Sequence, residues 1–77
     1  MTKMTIKLPT VGDVKEFVQI MSKCPKTGDI VSGRHTVDAR SLMGIFSLDL
    51  SKSVDLVIHG DEDEVAETIA SLDKFAA

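Results

Sequence analysis

Cysteine is nearly absent: Cys24 is the only one in 77 residues, so no intramolecular disulfide can form. A lone cysteine fits a reducing, cytoplasmic setting, and it is more often an inert, half-buried side chain than a nucleophile. Metal-ligand spacings of the CxxC or HExxH kind are missing, as are a Gly-rich phosphate loop and any defensible Ser-His-Asp arrangement. No catalytic residue, cofactor or metal is therefore expected. Basic residues are outnumbered, nine against twelve acidic ones, and they are scattered along a chain of net charge −3. Nucleic-acid binding needs a basic stripe that displaces counterions from phosphates, so that class is excluded. No segment approaches the ~20 apolar residues that span a bilayer. The opening MTKMTIKLPT also lacks the continuous apolar core of a signal peptide. A cytoplasmic protein without a membrane partner is the expectation.

What is present is an ordinary globular composition, 43% apolar and 27% charged. The length suits one domain over residues 1–77, with burial that is marginal for its size. Stability must then come from good local structure around one compact core.

Met4 to Leu8 alternates apolar and polar residues, the pattern of a half-buried strand, and Pro9 ends it. Thr10 suits an N-cap, with Asp13 in the first helical turn, where negative charge is favoured. Val14, Phe17, Val18 and Met21 then recur at helical spacing, with Lys15, Glu16, Gln19 and Lys23 on the other face. After a turn over Cys24 to Asp29, the runs Ile30–Ser32 and Thr36–Asp38 flank Gly33 as a hairpin. Ser53 to His59 has the apolar density of an interior strand, with Val54, Leu56 and Ile58 on one side. Asp61 to Glu64 opens the last helix, Asp61 and Glu64 forming a capping-box-like pair. No histidine or calcium-loop pattern accompanies these four acids, so they are structural rather than metal-binding. Val65, Ile69 and Leu72, with Ala66 and Phe75, carry the buried stripe.

The stretch Ser41 to Leu48 is central. Ser41 can cap a short helix in which Leu42, Ile45 and Phe46 fall three and four residues apart. Leu42, Met43, Ile45, Phe46 and Leu48 cannot all share one inward face, since a helix has about 3.6 residues per turn. Met43 and Phe46 are expected at the surface as a contact patch. The element order is βαββαβα, which implies an α+β fold with one antiparallel sheet covered by helices on one side.

The run VDARSLMGIFSL, the strand SVDLVIHG and the helix start DEDEVAETIASL together resemble the HPr family, the histidine-containing phosphocarriers of the bacterial sugar phosphotransferase system. That resemblance covers roughly the second half of the chain and is looser in the first. It implies an open-faced β-sandwich, a four-stranded antiparallel sheet with three helices on one face. It also implies protein partners, among them phosphotransferase-system enzymes and HPr kinase, with docking through Leu42, Met43 and Phe46. In many Gram-positive members a kinase phosphorylates the serine capping the middle helix, and Ser41 matches that position, with Arg40 beside it.

The family's phosphorylated histidine caps the first helix within the pattern Gly-x-His-x-Arg-Pro. Aligning VKEFVQIMSKC places Thr10 where the histidine belongs, Gly12 at the arginine and Asp13 at the proline. Threonine can cap the helix but cannot form a phosphohistidine, and Asp13 repels an incoming phosphate. Neither His35, in the hairpin turn, nor His59, at a strand end, begins a helix. A divergent, non-enzymatic regulatory or binding domain is therefore expected, with Ser41 as its phosphorylation candidate. Two alternatives stay open: a functional phosphocarrier, through a shifted alignment of the first half or another acceptor residue, and an accessory interaction domain with no phosphotransferase role. Oligomeric state is not fixed by the residues.

Overall fold

The computed structural model describes residues 1–77. Its elements run β1 (Thr2–Ile6), α1 (Val11–Lys23), β2 (Gly28–Ser32), β3 (His35–Asp38), α2 (Leu42–Phe46), β4 (Val54–Ile58) and α3 (Ala66–Leu72), closed by a 3-10 turn over Asp73–Phe75. The strands form one sheet in the order β1-β4-β2-β3, and every pairing is antiparallel. Because strand side chains alternate between faces, Ile6, Ile30, Leu56 and Ile58 share the inner one. The three helices cover that face with Val14, Phe17, Met21, Ile45 and Leu72, leaving the other face open. This is the α+β, open-faced arrangement that the element order implied.

β4 and β2 are the interior strands, and β4 carries Val54, Leu56 and Ile58 buried on the inner face. Phe17 sits at the centre of the core and meets Phe75 edge-to-face, with ring centroids 6.4 Å apart. Lys74, beside Phe75, pairs with Glu16 and so ties the end of the chain to α1. The hairpin turns over Gly33 and Arg34. Gly33 has φ +59°, while no other residue type adopts positive φ, the pattern of a type II′ turn.

Three boundaries differ from expectation. Strand β2 starts at Gly28, inside the expected Cys24–Asp29 turn, because Gly28 and Asp29 pair with Ile58 and Val57 of β4. The first strand runs Thr2–Ile6 rather than Met4–Leu8, because its partner β4 begins at Val54, opposite Ile6. Beyond that point the Lys7 N–H donates to Phe75 O at 2.8 Å, and Ala77 N–H donates to Thr5 O. Residues 75–77 thus cover part of an edge that would otherwise be free to pair with another chain. The last helix starts at Ala66, not within the acidic run. Half of the capping box is present, since the Asp61 N–H donates to Glu64 Oε1 at 2.9 Å. Val65, however, is buried at φ −120° and divides its N–H between the Asp61 and Glu62 carbonyls at 3.3 Å, so the residues before it form turns. The Asp61 N–H, and then Lys26, hold the Glu64 carboxyl below its usual range. Within the predicted stripe, Val65, Leu72 and Phe75 are buried, Ile69 is half-buried and Ala66 is exposed, while Thr68 is buried instead.

No helix is long and apolar enough to cross a membrane.

Candidate functional site

The two positions singled out from the sequence, Thr10 and Ser41, stand at the N-termini of α1 and α2. At α1, Thr10 has extended backbone angles (φ −125°, ψ 160°), and its Oγ1 accepts the Asp13 N–H at 3.1 Å. Its carbonyl accepts the Val14 N–H, which starts the helix. Gly12 is exposed, with only Thr10 Oγ1 near the place a β-carbon would occupy, at 3.8 Å. Asp13 is half-buried in the same turn. This helix start therefore offers a hydroxyl, an open glycine and a carboxylate. It presents no imidazole lone pair to take up a phosphoryl group and no guanidinium to hold one.

The histidines lie elsewhere. His35 begins β3 and is exposed at the rim of a shallow depression shared with Arg34, Asp49, Lys52 and Asp55. In that loop the Ser51 hydroxyl and N–H donate to Asp49 and hold its carboxyl below the usual aspartate range. His59 follows β4, its Nε2 2.8 Å from Asp29 Oδ2 and its N–H donated to Thr27 O. Each histidine sits on strand-end backbone rather than at a helix start. The His59–Asp29 contact joins residues 30 apart, beyond what sequence spacing could reveal.

At α2, the Ser41 hydroxyl caps the helix by accepting the Gly44 N–H at 3.1 Å. Its backbone is fixed from both sides, with Ser41 N–H donated to Asp38 O and Ile45 N–H donated to Ser41 O, each at 3.0 Å. The serine is half-buried, with its hydroxyl engaged by the Gly44 N–H. Gly44 permits this geometry: a β-carbon there would lie 2.9 Å from Ser41 Oγ and 3.3 Å from Val37 Cβ. Helix propensity alone would make Gly44→Ala stabilising by up to about 1 kcal/mol. The contact with Ser41 reverses that, and the variant is expected to lose about 1 kcal/mol by disturbing the cap. In a Ser41→Ala background the same change should cost close to nothing. Urea unfolding of the four proteins in this cycle checks the contact, and additive costs would mean that Gly44 does not act through Ser41.

Around this cap the apolar side chains divide between core and surface, with Met43 and Phe46 outward as expected. Ile45 and Leu48 are buried, Leu42 is half-buried against the core, and Met43 and Phe46 are 80% and 39% exposed. Val11, in the first turn of α1, is also 58% exposed, and α1 packs on α2. The sequence reading did not single out Val11, although it falls outside the buried repeat of α1.

Arg40 behaves differently from its reading as a neighbour for Ser41. Its Nε donates to Met21 O at 3.1 Å, and its Nη2 donates to Cys24 O at 2.9 Å and to Lys26 O at 3.4 Å. The guanidinium thus satisfies carbonyls at the C-terminal end of α1, where a helix leaves acceptors without intrahelical partners. Sequence spacing gave no sign of this, because the partners are 14 to 19 residues away.

Comparison with protein-family models matches residues 11–77 to the PTS-HPr family, described as the PTS HPr component phosphorylation site. Among solved structures, HPr-C-His from Thermoanaerobacter tengcongensis has a TM-score of 0.77 at 31% identity, covering 96% of this chain and 89% of that one. A phosphocarrier protein HPr from Bacillus anthracis str. Ames has a TM-score of 0.65 at 18% identity, covering 92% of this chain and 95% of that one, a likeness in fold. Among curated proteins there is no match. With the family model spanning all but the first ten residues and a near-complete structural match at 31% identity, this chain belongs to the HPr family, the phosphocarrier family of the bacterial sugar phosphotransferase system.

Proposed function

We propose that this chain is a regulatory HPr-family domain that docks protein partners through Leu42, Met43 and Phe46. In this reading it no longer carries a phosphohistidine and is modified at Ser41 instead. The observation that carries the reading is the α1 cap. A phosphocarrier needs a ring nitrogen that accepts a phosphoryl group as a labile N–P bond and passes it on. The Thr10 hydroxyl is engaged with the Asp13 N–H, and a phosphate ester formed on it would lack that lability. The Asp13 carboxylate adds like-charge repulsion at a helix start that would otherwise attract phosphate.

Ser41 fits the second role, because its oxygen is held by the α2 backbone and the residue is only half-buried. A phosphate there would bring a charge of about −1.5 to −2 to the edge of the apolar patch, enough to change which partners bind. The partners envisaged are HPr kinase and phosphotransferase-system proteins.

The test is intact mass after incubation with ATP and an HPr kinase. One acid-stable phosphoryl group is expected, and Ser41→Ala should abolish it. Phosphate that persists in the Ser41→Ala protein, or no phosphate on the parent chain, would contradict the role given to Ser41.

A further inference from the structure

We infer that Arg40 is a two-position arginine that couples phosphorylation of Ser41 to the C-terminal end of α1. This rests on Ser41 being a modification site and extends it by naming what the phosphate would move. The guanidinium bridges three carbonyls, those of Met21, Cys24 and Lys26. Met21 O also accepts the Cys24 N–H, but neither Cys24 O nor Lys26 O accepts a backbone N–H. Arg40 is therefore the donor to two turn carbonyls that no backbone N–H reaches, beside the buried Cys24.

All three present acceptors are neutral. Phosphoserine at 41 would place a doubly charged acceptor on the adjacent residue, within reach of a long and flexible side chain. Hydrogen bonds from a guanidinium to phosphate pair opposite full charges and are frequently bidentate, whereas a carbonyl offers only a neutral acceptor. The guanidinium has one fork and two competing sets of acceptors. The backbone of residue 40 is pinned independently, since Asp38 Oδ1 accepts the Arg40 N–H at 2.8 Å, so only the side chain needs to turn. Once it turns, the Cys24 and Lys26 carbonyls lose their donor, and the turn that leads into β2 loosens. Ala39, next to Arg40, donates its N–H to Gly28 O, which keeps the two segments adjacent while this happens. A modification at α2 is thereby felt at the far end of α1.

The experiment uses the full chain with phosphoserine built in at position 41 during synthesis, so it does not depend on any kinase. Two rates are followed in the presence and absence of the phosphate: labelling of Cys24 by a disulfide reagent, and exchange of the Cys24 amide with deuterium. Both are expected to rise by about tenfold or more with phosphoserine, as bonds from a charged donor are lost from the turn. Arg40→Ala without phosphate should reach similar rates, and adding phosphoserine to Arg40→Ala should raise them no further. Arg40→Lys, which keeps the charge but cannot span the carbonyls, should fall between the parent and Arg40→Ala. Unchanged rates in the phosphoserine protein would overturn the inference, as would an equal rise with and without Arg40. Failure of a kinase to modify Ser41 would instead count against the site itself, and the two failures are read from different samples.

Discussion

Phe17→Ala is expected to destabilise the fold by about 3–5 kcal/mol, as large-to-small changes at fully buried aromatic positions do. Phe17 has no exposed surface, lies under the inner face of the sheet and supplies one ring of the edge-to-face contact with Phe75. Truncation therefore removes apolar burial, an aromatic contact and the anchor for the chain end that covers β1. Domains of this size hold only about 5–15 kcal/mol in total, so a loss of that order leaves little reserve. Each kcal/mol should lower the melting temperature by about 4–8 °C. Val18, one residue on and half-buried, supplies the comparison: Val18→Ala should cost much less. Thermal unfolding of the two variants decides, and equal losses would mean that the core does not centre on Phe17.

The second large effect is on binding. Phe46→Asp and Met43→Asp are each expected to weaken binding to HPr kinase by about thirtyfold or more, as losses at interface hot spots do. Their structural costs should differ. Met43 is 80% exposed, so its replacement should stay within about 0.5 kcal/mol of the parent. Phe46 keeps 39% of its surface open, and the part it buries makes a loss of about 1–2 kcal/mol reasonable. Leu42 is half-buried against the core and would confuse the two readouts. Calorimetric titration of folded variants separates docking from stability. Unaltered affinity in both variants would remove α2 from the docking surface, whereas unfolding of Phe46→Asp would make Phe46 part of the core.

The fold was largely written in local pattern. The spacing of Val14, Phe17 and Met21 gave α1, the density of Val54, Leu56 and Ile58 gave the interior strand β4, and Gly33 gave the hairpin. Thr10 and Ser41 cap their helices as their residue types suggested. The excess of apolar residues on a two-turn helix also foretold which side chains, Met43 and Phe46, would face outward. What local pattern could not carry were contacts between distant residues. Arg40 reads as a neighbour of Ser41 because the two are adjacent, yet its guanidinium closes the end of α1. The acidic run reads as a helix start, but burial of Val65 delays the regular helix to Ala66. The pairing of residues 75–77 with the edge of β1 likewise depends on Phe75 reaching Phe17 across the core.

The central claim is that the α1 start has lost phosphoryl uptake while the family fold is retained. The most direct measurement is intact mass, with and without acid treatment, after incubation with phosphoenolpyruvate and enzyme I. The mass is predicted to stay unchanged, because Thr10 offers no ring nitrogen and His35 and His59 lie away from any helix start. An acid-labile phosphoryl group, mapped to either histidine and lost on its replacement by alanine, would contradict the claim and restore this chain as a carrier.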